Sequence, residues 1–439
     1  MKKNLINLIK KIATFARFRH YITNRPRQTT QNTIDIIKVL FFGIPVALII
    51  RIFSSILLIR IMHINAGRIG EFIMNPAIYL YQKEYKINST RQKSLDIFYL
   101  EEKVINLFLL KMLKKKINIG SATFLRPIDN AQKLLDRIFE SGGKYKPFLK
   151  RKFKTHYVDC LPKSKKNINF TVEEIKRGED ELFEKFGIKK NSKFACFLIR
   201  DQAFLKKNYP NSNYDYHEYR NMNPQIFLSA AEELSKRGYF VFRMGKIQES
   251  IFEIQGNNKI IDYANSEYKS DFLDIYMGAH CSFYLTTMSG PDNLLPIFNV
   301  PSIEFPLNLG VSRQFNNYLI APRIFCDEND KKLSLKELFK KDLIFRQKKK
   351  DFDNEKVSPK DPKPEDIRNL VIEMDDHIIN SKPYSDLEND LNKKFWKIFS
   401  ELYEKDPKNK NEISIKGKYI AQSRFDINFL KKNHEWFLK

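Results

Sequence analysis

The chain has 439 residues, 42% of them apolar and 29% charged, with a formal net charge of +25. That length exceeds one ordinary core, so two domains are expected, and the apolar content excludes a wholly disordered chain. The positive balance points to an anionic partner: nucleic acid, an acidic lipid surface or phosphorylated small molecules. Lysine and asparagine are abundant nearly everywhere, however, so part of the charge is solvated surface.

Cys160, Cys196, Cys281 and Cys326 form no C-x-x-C pair, and the seven histidines show no metal-ligand spacing. Neither a zinc site nor a disulfide framework is expected, and a reducing cytoplasm fits. Residues 1–33 are basic and polar, with no small-residue cleavage site, unlike a signal peptide. The apolar run VLFFGIPVALIIRIFSSILLI, residues 39–59, has the length of a membrane span but is interrupted by Gly43, Pro45 and Arg51. An arginine near the bilayer centre costs roughly 2.5–3.5 kcal/mol. A helix lying in the interface, with Lys38 and Arg51 toward lipid phosphates, avoids that cost. A span, and a buried helix leading into the first strand, are the alternatives.

From Ile56 the pattern alternates strand and helix. ILLIRIMHI is a strand, NAGRIG a turn, and EFIMNPAIYLYQKEY a helix kinked or restarted at Pro76. SLDIFYL is a second strand, EEKVINLFLLKMLKKK an amphipathic helix with lysines at its end, and NAQKLLDRIF a further helix. The polar LPKSKKNINF is the expected interdomain crossing. A second series follows: the helix TVEEIKRGEDELFEKFGI, the strand KFACFLIR, a long polar loop, the helix PQIFLSAAEELSKRG, the strand YFVFRMG and a short strand KIIDYA. Next come the helix SDFLDIYMGAH, opened by Ser270, and the strands CSFYLTT and PSIEF. Residues 310–376 read as loops and helices, with the charged RQKKKDFDNEKVSPKDPKPED as a mobile surface excursion. The tail is helical from Asp386.

This alternation predicts two Rossmann-like α/β domains facing across a cleft, with ligands outside the carboxyl ends of the strands. The expected divisions are 1–55, a basic tail and apolar helix; 56–165, the first domain; 166–380, the second; and 381–439, helices packing back on the first.

Candidate chemistry gathers in CSFYLTTMSGPDNLLPIF. A strand ending at Thr286–Thr287, a turn through Ser289 and Gly290, and a helix begun by Pro291 present hydroxyls and backbone N–H groups to an anion. Ser289 as an ordinary N-cap, a matter of about 1 kcal/mol, is the alternative. Arg200 and Arg243 each end a strand, with Gly245 and Lys246 just beyond the second. If those strands are parallel neighbours, three cations converge on the turn and suit a diphosphate. Arg220, in the loop with Tyr216, His217, Glu218 and Asn221, joins the donor candidates, as do Asp262, Tyr263 and Asn293. Asp201 is a general base or a structural partner of an arginine; Glu71 is the other candidate base. Asn65, Arg68 and Gly70, in the first domain's turn, are acceptor candidates or a plain glycine-permitted β–α turn. No G-x-x-x-x-G-K-[ST] or G-x-G-x-x-G occurs. The one D-x-D, Asp351-Phe352-Asp353, reads as solvated charge. The aromatics follow core periodicity, so nucleic acid is not an expected partner.

The order of IRIMHINAGRIGEFIMNPAIYLY, FLIRDQAFL, YRNMN, FLSAAEELSKRGYFVFRMG, IIDYANSEYKSDFLDIYMGAHCSFYLTTMSGPDNLLPIFNVPSI and FDINFLKKNHEWF resembles a family of bacterial glycosyltransferases associated with surface-polysaccharide synthesis. The resemblance runs from about Ile59 to the C-terminus. It implies a GT-B-like fold, with an acceptor bound by the first domain and a nucleotide-sugar by the second. It also implies that Thr287-Met288-Ser289-Gly290 contacts donor phosphates. The family commonly has a histidine two residues before the Arg-Asp pair, where this chain has Leu198, so any role of that histidine is in doubt here. The reading implied is metal-independent transfer, without a cofactor, from a nucleotide-sugar to a glycan or lipid-linked glycan. The enzyme would be cytoplasmic and peripheral on the inner face of the membrane, with an anionic lipid surface as a further partner. A non-catalytic membrane-surface or scaffold protein with a degenerate nucleotide site is the alternative.

Overall fold

The computed structural model describes residues 29–87, 90, 92–100, 103–139, 141–147, 168–208, 210, 215–307, 309, 317–346, 348–405 and 423–438. They belong to two compact units, Met1–Lys154 with Ser164–Ile168, and Thr155–Lys163 with Asn169–Lys439. Both units are α/β with parallel sheets, as the alternation predicts. The expected crossing at residues 161–170 lies mostly outside the described residues.

The first unit holds β1 (Leu58–Ile64), β2 (Ser94–Leu100) and β3 (Asn118–Gly120), parallel and in that order. Register places Arg60 opposite Asp96. Their buried side chains meet through two hydrogen bonds, Nε to Oδ1 at 2.5 Å and Nη2 to Oδ2 at 2.8 Å, and the Tyr79 hydroxyl donates to the same carboxylate at 2.9 Å. A buried charge needs this degree of pairing. The Ile69–Glu84 helix runs through Pro76 without restarting. Leu107–Lys114 is shorter than predicted because Asn106 caps it, its side chain accepting from the Leu109 N–H at 2.7 Å.

The N-terminal helical stretch comprises Thr29–Lys38, a π turn at Val39–Gly43, Ile44–Ile52 and a 3-10 turn at Phe53–Ser55. Val39, Gly43, Ala47 and Ile50 form its buried face, which packs on the Ala122–Phe139 helix. Gly43 makes that approach possible, since a Cβ there would overlap the Pro127 carbonyl. Arg51 corrects the expectation that it faces lipid. Its guanidinium donates to Gln132 Oε1 at 2.9 Å, Ser141 Oγ at 2.9 Å and Asp136 Oδ1 at 2.6 Å, and sits 4.4 Å from the centre of the Tyr145 ring. Inside the unit the planar guanidinium satisfies several of its donors at once, so it is not available to lipid phosphates.

The second unit is built on a seven-stranded sheet ordered β12-β9-β8-β7-β4-β5-β6. Its strands are β4 (Phe194–Leu198), β5 (Phe240–Arg243), β6 (Ile260–Ile261), β7 (Phe283–Thr286), β8 (Ser302–Glu304), β9 (Tyr318–Ile320) and β12 (Arg424–Phe425), all parallel. β4 and β7 are buried along their whole length, as continuous apolar runs in a two-faced sheet should be. The helices are set by local signals. Thr171 and Glu174 form a capping box before Val172–Phe186, Gly187 closes that helix at φ 69°, and Ser270 accepts from the Leu273 N–H.

Two stretches differ from the sequence reading. The charged excursion is ordered: β10 (Ile324–Asp327) and β11 (Val357–Lys360) pair antiparallel, and between them Phe352 is fully buried, stacked on Phe325 at 5.4 Å. Its lysines hid a core residue. The C-terminal segment, expected to return to the first domain, is built into the second. β12 is an edge strand there, and Phe395, Trp396, Phe399, Phe425, Trp436 and Phe437 share one core with Leu335 and Phe352.

Candidate functional site

From β4 the chain steps outward to β5 and β6, then returns to lay β7 on the opposite flank of β4. The direction of winding therefore reverses between β4 and β7, and a crevice at the carboxyl ends of such a strand pair is where open α/β sheets hold ligands. The sequence candidates Arg200, Thr287, Ser289 and Gly290 all lie there.

The two strand ends are joined directly. The Arg200 N–H donates to Thr287 Oγ1 at 2.8 Å, and the Thr287 N–H donates to the Leu198 carbonyl at 3.2 Å. Leu198 is buried. Met288, next in the turn, has φ 67°, a left-handed conformation uncommon for a side chain of its size. Three contacts hold it. The Met288 N–H donates to Thr286 Oγ1 at 3.0 Å, the Thr286 hydroxyl donates to Asp292 Oδ1 at 2.8 Å, and Arg220 Nη2 donates to the Met288 carbonyl. Asp292 is fully buried, and its second oxygen accepts from the Ser289 N–H. Ser289 is thus an N-cap residue whose own N–H is taken, at the start of the Gly290–Leu294 3-10 turn that leads into Leu295–Phe298. Met288, Ser289, Gly290 and Asn293 are half-buried.

Three charged candidates have another task. Arg243, 1% exposed, donates to the Ser250 carbonyl at 2.6 Å, Gln248 Oε1 at 3.2 Å and Asp262 Oδ2 at 3.3 Å. The same Asp262 oxygen accepts from the Phe252 N–H at 2.9 Å and from Asn265 at 2.8 Å. Asp201 accepts from the Ala203 N–H at 3.0 Å through one oxygen and from the Glu249 N–H at 2.8 Å through the other. Arg243, Asp262 and Asp201 therefore anchor the 245–252 loop to the ends of β4 and β5. For Asp201 this is the structural alternative, although with the loop as partner rather than an arginine. Gly245 enters that loop at φ 156°, a conformation that favours glycine.

Lys246 lies 2.6 Å from Asp271 Oδ1 and 3.6 Å from Asp274 Oδ2. Burial works to lower its pKa, but the two carboxylates outweigh burial and the pKa is raised, so the ammonium charge is retained. Asp274 is pushed up to about 6, chiefly by burial and against the pull of Lys246. The Tyr263 hydroxyl is turned inward, donating to Asp274 Oδ1 at 3.0 Å and accepting from the Ser270 N–H at 3.0 Å. The side chains of Tyr216 and His217 lie outside the described residues.

In the first unit, Asn65 Oδ1 accepts from the Gly67 N–H at 3.0 Å, closing the turn after β1. Arg68 and Glu71 are exposed at the start of the following helix, and Gly70 is buried. The sequence reading missed Asp292, which braces the turn with Thr286, and Glu304, a fully buried carboxylate paired in register with Thr286. The Ser289-x-x-Asp292 spacing was the available signal. Among the described residues, no three His, Cys, Asp or Glu side chains are grouped to hold a metal ion.

No protein-family model matches the chain, and no curated protein does. Solved structures show remote likenesses. A glycosyl transferase of family 9 from Veillonella parvula DSM 2008 aligns at 12% identity over 56% of this chain and 80% of that one, with a TM-score of 0.32. ADP-heptose lps heptosyltransferase II of E. coli aligns at 11% identity over 56% and 84%, with a TM-score of 0.34. The iron-containing dodecameric glycosyltransferase TibC from enterotoxigenic E. coli H10407 aligns at 12% identity over 57% and 58%, with a TM-score of 0.28. Likenesses this remote carry no information on substrate or reaction.

Proposed function

We propose that this chain is a glycosyltransferase that binds the diphosphate of a nucleotide-sugar at the carboxyl ends of β4 and β7. The carrying observation is the hydrogen bond from the Arg200 N–H to Thr287 Oγ1 at the point where the sheet's winding reverses. It fixes the Arg200 backbone against a polar turn that opens a helix, and it supports a role for that turn as an anion cradle. Arg200 and Arg220 supply positive charge beside the departing nucleoside diphosphate, with Lys246 as a further cation. Stabilising that charge in a site shielded from water is the main source of rate. Asn65, Arg68 and Gly70, at the β1 turn, are the proposed glycan contacts. Asp201 is not retained as the base, because both of its oxygens accept backbone N–H groups. Transfer without a metal is part of the proposal.

The test is incubation of the purified chain with a panel of UDP-, GDP-, CMP- and ADP-sugars, with and without a chelator, scored by release of the nucleotide. Slow hydrolysis of one donor that withstands the chelator, and is lost in Arg200→Ala, is expected. A second reading, a scaffold with a degenerate nucleotide site, is favoured by Leu198 in place of histidine and by the engaged polar atoms of Asp201 and Arg243. Nucleotide binding without turnover on any glycan acceptor would select it.

A further inference from the structure

We propose that the first unit docks in the plane of an anionic membrane, through the outer face of its N-terminal helical stretch and the flank of the Ala122–Phe139 helix. The proposal is independent of the sugar-transfer reading, since every residue it uses belongs to the first unit.

Residues 34–55 are long and apolar enough to cross a bilayer, and only 22% of the apolar 18-residue stretch within them is buried. Phe41, Leu48, Ile49, Ile52 and Ile56 recur at helical spacing on the side away from Val39, Gly43, Ala47 and Ile50, with Phe41 79% exposed and Ile52 72% exposed. The apolar surface continues onto the second helix, where exposed Phe124 meets Phe42 edge to face at 6.3 Å. A soluble surface rarely leaves so many large apolar side chains contiguous without a partner.

Crossing the bilayer is disfavoured by what the inner face holds. The helix is packed to Ala122–Phe139 through Gly43, and through Arg51 to Gln132 and Asp136. That companion helix also carries Arg126, Asp129 and Lys133. A span would carry those charges toward the hydrocarbon, where charged side chains are strongly disfavoured. Lying flat, the pair immerses only the apolar flank and leaves Arg126, Asp129, Lys133 and Asp136 on the protein side. The partner's charge is indicated by the sequence: residues 1–33 contain eight Lys and Arg and no Asp or Glu, and Lys38 is exposed on the helix itself. Such a run is attracted to acidic lipid.

The experiment is flotation of the full chain with phosphatidylcholine vesicles, with and without phosphatidylglycerol, compared with Ile49→Ser/Ile52→Ser/Ile56→Ser. All three residues are exposed, so the melting temperature should be unchanged. Binding to the acidic vesicles, reduced about tenfold or more by the triple substitution, is expected. Fluorophores at Phe41→Cys, Leu48→Cys and Ile56→Cys should report the same shallow depth. Equal flotation of both proteins would overturn the proposal. So would a deep centre with shallow ends, which marks a span. So too would failure to float, whether the face is covered by this chain's own N-terminal residues or by a second copy, the latter seen as self-association that the same substitutions abolish.

Discussion

The Arg200 N–H donates to Thr287 Oγ1 at 2.8 Å, so a side chain from the end of β7 satisfies the backbone of the loop leaving β4. Thr287 is itself buried. Thr287→Val keeps the shape and removes the acceptor, leaving an N–H with no replacement, which costs about 1–3 kcal/mol. Lower stability and weaker nucleotide binding are expected together, with Thr287→Ser restoring both. Urea unfolding and a nucleotide titration on the two variants check this.

Arg243 is expected to matter for the loop rather than for the chemistry. Replacing it by methionine strands Asp262 without its cation and should cost about 3–5 kcal/mol. Hydrogen exchange at the Phe252 amide, which donates to Asp262 Oδ2, should accelerate. Arg243→Met/Asp262→Asn should recover part of the loss, because the uncompensated charge is then gone. Intact stability in Arg243→Met would remove it from the scaffold.

Glu373 and Asp426 form a buried acidic pair beneath the C-terminal segment. The Tyr384 hydroxyl donates to Glu373 at 2.9 Å, the Ile427 N–H donates to its other oxygen at 3.3 Å, and the Phe429 N–H donates to Asp426 at 2.9 Å. Burial, and then the neighbouring carboxylate, raise the Glu373 pKa; burial, with Asp366 adding to it, raises that of Asp426. Arg424 and Lys432 act in the opposite sense. Acids with a raised folded pKa bind more protons folded than unfolded. Their contribution to stability is therefore complete below the ordinary carboxylate range and is lost as pH rises through the raised values. Stability should fall between about pH 5 and about pH 8, and Glu373→Gln should flatten that slope. Denaturant melts at three pH values would show it; a slope of the opposite sign would exclude the pair as its source.

Gly43→Ala forces a methyl against the Pro127 carbonyl, a backbone atom that cannot turn aside. A loss of about 1–3 kcal/mol is expected from such overpacking. Gly142, where a Cβ would meet nothing, is the control for added bulk, although its positive φ adds strain of its own. Chemical denaturation of both variants separates the two effects.

The strands of the second unit up to β8 were legible because they are unbroken apolar runs between turn signals, and the helices because Thr171, Ser270 and Gly187 mark their ends. β3, β9 and β12 escaped because two or three residues carry no period, and pairing alone makes them strands. Phe352 was hidden among lysines, since its burial depends on Phe325, a residue 27 positions earlier that sequence spacing cannot bring near. At the site, strand-end positions were readable, but side-chain direction was not. Arg200 and Arg243 both end apolar runs, yet the second is consumed by the 245–252 loop, whose tethering by Asp201 and Asp262 appears only when the chain is folded.

The most direct test is a metal-free thermal-shift titration of the intact chain with UDP, GDP, CDP and ADP, alongside Arg200→Ala. A saturable rise in melting temperature with one of the four, absent from the variant, is the expected result. No shift with any of them, or an equal shift in the variant, would contradict a diphosphate site between β4 and β7.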